Sequence, residues 1–129
     1  MRSEGSHQSE LISQLLYGDC FKVISKKEEW LQITTLLDQY TGWIDHKQTH
    51  LITEDKAKEI SFKNNSYSTN LVDYIKTSEN MLTSLILGSN ISGAKVLGHK
   101  FKGPITKGKK PKLNLLKTAS LYLNSPYLW

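Results

Sequence analysis

Short runs in which apolar and polar residues alternate, broken by polar turns roughly every ten positions, fill the first 45 residues and point to small antiparallel strands rather than to an α/β layer. The expected strands are residues 11–16, closed by Tyr17-Gly18-Asp19, residues 21–26, closed by Lys27-Glu28-Glu29, residues 30–35, and residues 40–45. In the second of these, Phe21, Val23 and Ser25 alternate with Lys22, Ile24 and Lys26, the period of a strand with one buried face. In the third, Leu31, Ile33 and Thr35 share the apolar face and Trp30, Gln32 and Thr34 the other. Trp43, in the fourth, is expected in the core, and Gly42 marks a crowded or bent position.

Beyond these strands the pattern changes twice. Residues 53–60 read either as a short helical turn capped by Thr53 or as a plain connector. Strand signals return at residues 71–75, 81–87 and 95–99, the second closed by Gly88-Ser89-Asn90, and make a second small β module. After Pro111, the residues Leu113, Leu115, Leu116, Ala119, Tyr122 and Leu123 recur at helical spacing until Asn124-Ser125-Pro126. So short an amphipathic helix is marginal alone and needs a surface to bury against.

Charge divides the chain as clearly as periodicity does. Residues 1–60 hold seven Lys/Arg against ten Asp/Glu, and residues 61–129 hold ten Lys against two acids. Six lysines fall in residues 100–112, where neither arginine nor interleaved stacking aromatics accompany them. A solvated basic connector explains that stretch without a nucleic-acid partner. The apolar runs are too short to span a bilayer, and residues 1–7 lack the apolar core of a secretory signal, so a cytoplasmic location is expected. A cell-envelope location follows only if the true N-terminus is missing. Cys20, the single cysteine, reads as a half-buried small hydrophobe. His7, His46, His50 and His99 have no metal-ligand spacing and read as solvated or capping residues, so neither metal nor cofactor is expected.

Two groups of motifs carry a family resemblance. Met1-Arg2-Ser3-Glu4, Ser13-Gln14-Leu15-Leu16-Tyr17-Gly18-Asp19, Glu29-Trp30-Leu31-Gln32-Ile33 and Gly42-Trp43-Ile44-Asp45 resemble a bacterial SH3 domain (SH3b). Tyr122-Leu123-Asn124-Ser125-Pro126-Tyr127-Leu128-Trp129 resembles the entry to the catalytic domain of NlpC/P60 cysteine peptidases. The nearest likeness is to the γ-D-glutamyl-L-diamino acid endopeptidases, or dipeptidyl-peptidase VI, which cut cell-wall stem peptides.

The resemblance implies a mainly β chain of two small SH3-like barrels in tandem, followed by a helix of a truncated papain-like α+β domain. Residues 1–50 would be the first SH3b domain without its opening strand and 51–66 a connector. Residues 67–105 would be a second SH3b-like domain and 106–129 a linker and the first catalytic-domain helix. The catalytic Cys and His motifs are not among these residues, so the chain alone would be inactive and would serve targeting or specificity. Its implied partners are the murein peptide L-Ala-γ-D-Glu-diamino acid and a missing C-terminal catalytic domain. By the same resemblance, Glu4 pairs with the free amine of the peptide, Tyr40 supplies a wall or phenol donor, and Tyr127 hydrogen-bonds substrate. Read from the residues alone, Glu4 is equally an exposed acid and Tyr40 a barrel-rim aromatic. A free-standing SH3-like peptide or cell-wall binding module is the alternative.

Overall fold

A computed structural model describes residues 1–62 and 65–126 of the 129. Its first unit is an antiparallel sheet of β1 (Phe21–Lys27), β2 (Trp30–Thr35) and β3 (Thr41–Asp45), in that order. The Trp30↔Asp45, Leu31↔Ile44 and Gln32↔Trp43 register puts Leu31, Ile33 and Ile44 on one face. Those three and Met1 form a core that Ile12, Leu15 and Phe21 flank, with Ile33 fully buried. Outside β3, Arg2 pairs with both Trp43 and Leu11, giving and receiving backbone hydrogen bonds of 2.8 and 2.9 Å with Trp43.

Three readings of this unit need correction. Residues 11–16 are irregular apart from the single bridge at Leu11, because their apolar side chains plug the core instead of alternating across a sheet. β1 has no buried face beyond Phe21: the register slips between Val23 and Ser25, and the bulge throws Ile24 outward. Lys22, Lys26 and Lys27 lie on this edge strand, where charge discourages pairing with another chain. Trp43 is not in the core, since it stands on the opposite face from Ile44, with Trp30.

After a single 3-10 turn at His46–Gln48, α1 (Glu54–Phe62) follows, with the Lys56 amide 3.5 Å from the Thr53 hydroxyl. Of its described side chains only Ile60 is buried, against Gly93. The second unit pairs its first strand β4 (Ser66–Ser68) with its last, β8 (Ile105–Lys107). Between them, β5 (Val72–Lys76) lies between β6 (Leu82–Ile86) and β7 (Lys100–Phe101). Ile75, Leu85 and Ala94 make its core. Residues 94–98 form a turn, not the expected strand, because Leu97 N–H and His99 N–H bond to Gly93 O and Ala94 O and close the backbone locally. α2 (Lys112–Ser120) ends four residues short of Asn124, and residues 107–126 are exposed throughout.

Among the described residues the two units meet at the Tyr17–Gly18 turn. The Tyr17 carbonyl accepts the Asn90 N–H at 2.8 Å, and the Tyr17 ring packs on the second core. Asn90 is buried, its side-chain amide donating to Ile60 O at 3.2 Å and its oxygen accepting from Ser92 N–H at 3.0 Å. Gly18 has φ +84°, and a Cβ there would collide with the Asn90 carbonyl oxygen.

Candidate functional site

A cleft of about 870 Å³ lies where the outer face of the first sheet, the segment after β3 and the second unit come together. Trp30 and Trp43 line one side, with Asp45 and Lys47 beside them; Tyr17, His99, Thr83 and Ser84 line the other, and His50 also contributes. Strand pleating explains the first wall. Alternation that sends Leu31, Ile33 and Ile44 inward must send Trp30, Trp43 and Asp45 outward.

The loop of residues 3–9 folds back over this wall. Gly5 approaches so closely that a Cβ would meet Trp30 at 3.1 Å and Trp43 at 3.3 Å, and the His7 ring meets Trp30 edge-on at 4.8 Å. The Arg2 guanidinium donates to Ser9 O at 2.7 Å and ties the loop's end back to its start. Asp45 accepts the Lys47 N–H at 2.9 Å, and His46 Nδ1 lies 3.1 Å from Glu29 and 3.6 Å from Asp45.

On the second wall the Tyr17 hydroxyl lies 2.8 Å from His99 Nδ1. Burial pushes the Tyr17 phenol up to about 12, so it stays protonated. Burial, followed by the nearby His50, lowers the pKa of His99 and keeps its ring neutral. A protonated phenol needs an acceptor, and Nδ1 is the one described for it, so Tyr17 donates and His99 carries its proton on Nε2.

A smaller pocket of about 80 Å³ lies by Cys20, Asp19, Asp38 and Asn90. Asp19 accepts the Leu16 N–H at 2.8 Å, and burial raises its pKa; Asp38 is held low by the Thr35 hydroxyl. Cys20 precedes β1, half-buried, and its Sγ is 3.7 Å from Gly18 O. Among the described residues no three His, Cys, Asp or Glu side chains gather as a metal set. Aromatic walls, scattered polar groups and a neutral imidazole equip the cleft to bind and orient a polar ligand.

Glu4 lies in the loop that crosses the tryptophans, but does not itself line the cleft. Its backbone is bonded to Ser9, and among the described residues its carboxylate has no ion pair. Tyr40 is exposed at the entry to β3, its N–H bonded to the Thr35 hydroxyl at 2.8 Å. Nothing described brings Tyr40 and Glu4 into contact, and Tyr127 lies outside the described residues. Tyr17, Trp43 and His99 were missed as site residues. His99 in particular is half-buried and bonded to Tyr17 rather than capping a backbone group, and its tyrosine partner is 82 positions away, beyond any local signal.

The matched family bears on the unit that carries the tryptophan wall. Residues 1–48 match the family of the bacterial dipeptidyl-peptidase SH3 domain. The SH3 match takes in Glu4, Tyr17, Trp30, Tyr40 and Trp43, and stops before His50, α1 and the second unit. No curated protein and no solved structure matches the chain. Among the described residues no helix is long and apolar enough to cross a membrane.

Proposed function

We propose that this chain is the non-catalytic peptide-recognition region of a peptidase that cuts cell-wall stem peptides, and that it binds the free N-terminal end of L-Ala-γ-D-Glu-diamino acid peptides. The observation that carries the reading is the aromatic-walled cleft on a unit that matches a dipeptidyl-peptidase SH3 domain. Glu4 pairs with the peptide's amine from the loop across Trp30 and Trp43, and Tyr40, at the entry to β3, supplies a separate wall or phenol donor. An exposed carboxylate with no ion pair among the described residues is open to an ammonium ion, and aromatic faces favour a cation beside them. Residues 67–105 form a second SH3-like domain in this reading. Residues 106–129 lead into an NlpC/P60 catalytic domain, which supplies the cysteine chemistry and sets Tyr127 against the substrate.

Calorimetric titration of the full chain with the tripeptide and with its N-acetylated form tests this. Binding of the free-amine peptide, weakened about tenfold by acetylation, by Glu4→Gln or by Trp43→Ala, is the expected result. Absence of binding at millimolar peptide, or equal binding of the acetylated form, overturns the proposal.

A further inference from the structure

Tyr17 and His99 are joined across the fold without contributing to any of the three sheets, and both line the cleft. Because the Tyr17 hydroxyl occupies Nδ1, the imidazole has one tautomer, and Nε2–H is left as a donor with no partner among the described residues. The His99 backbone N–H is fixed on Ala94 O at 2.8 Å, which holds the ring's base in place. His50 lines the same cleft. The acids on its walls are already engaged: Asp45 with Lys47 N–H and His46, Asp19 with Leu16 N–H. A ligand acceptor is what this end of the cleft lacks.

We infer that His99, oriented by Tyr17 and assisted by His50, is a carboxylate-recognition point that binds the acidic end of the peptide whose amine lies at Glu4. This rests on the peptide-binding reading above and deepens it. A neutral imidazole N–H donating to a carboxylate makes a charge-assisted bond without placing a permanent cation near Lys47 and Arg2.

The test titrates the full chain with the tripeptide and with the same tripeptide amidated at its carboxylates, for wild type, His99→Phe and His99→Gln. We expect amidation to weaken binding to wild type by about tenfold, the gap to vanish in His99→Phe, and His99→Gln, which keeps a side-chain N–H, to restore part of it. Nitrogen-15 spectra of the wild-type imidazole should show the Nε2–H tautomer, a readout that does not depend on a variant folding. Equal binding of acid and amide, or an Nδ1–H tautomer, overturns the carboxylate point while the peptide reading stands. Failure of the unmodified tripeptide to bind overturns both.

Discussion

Tyr17 and His99, 82 positions apart, meet through a 2.8 Å hydrogen bond that ties the turn before β1 to the second unit. Its two members titrate in opposite senses from their ordinary values, so the bond has a pH signature. His99 lies below 6.5, through burial and then His50. Between that ordinary value and the lower native one, the unfolded chain binds the proton first, so this stabilisation is complete above 6.5 and is lost as pH falls through the native pKa. Tyr17 is raised from 10.0 to about 12, so its contribution is complete below pH 10 and is lost as pH rises toward 12. Urea denaturation of wild type and Tyr17→Phe between pH 8 and 12 should converge as the pH rises. The acid limb between pH 5 and 7 should flatten in His99→Phe.

Gly18→Ala is expected to cost at least about 2 kcal/mol, from a left-handed backbone forced on a residue with a Cβ and a collision with the Asn90 carbonyl. Gly108→Ala, also at positive φ but with open space around it, should cost only the backbone part, about 1 kcal/mol. Denaturant midpoints of the pair separate the steric contribution from the conformational one.

Asn90→Ala removes a buried amide, takes away the side-chain donor to Ile60 O and strands the Ser92 N–H. A loss of about 2–3 kcal/mol is expected, together with faster amide exchange at Ser92. Protection unchanged at Ser92 would contradict the assignment of its partner.

Ile33→Ala and Ile75→Ala each empty a fully buried site in a different core and should each cost about 2–5 kcal/mol. Leu115→Ala, on the exposed α2, should change stability by less than about 0.5 kcal/mol. Thermal melts of the three variants check the contrast.

Where strand identity depends on local alternation, it could be read from the sequence. Residues 30–35 form β2 with Leu31 and Ile33 buried as their spacing implies, and residues 40–45 lose only Tyr40 from β3. The strands expected at 71–75 and 81–87 match β5 and β6 to within a residue or two. Residues 95–99 look like a strand because Val96 and Leu97 are adjacent and apolar, but the turn's hydrogen bonds to Gly93 and Ala94 override that propensity. Trp43 reads as a core residue by its type, whereas its parity with Asp45 and against Ile44 places it outside. Tyr17 and His99 could not be paired from sequence at all, because only the packing of the Tyr17–Gly18 turn onto Asn90 brings them together.

The most direct test of the cleft as a peptide site is a two-dimensional NMR titration of the full chain with L-Ala-γ-D-Glu-diamino acid tripeptide. The account predicts that the Trp30 and Trp43 indole N–H signals and the His99 ring signals shift together along one saturating curve. Shifts confined to α2 or to β1, with the indole signals unmoved, would contradict it.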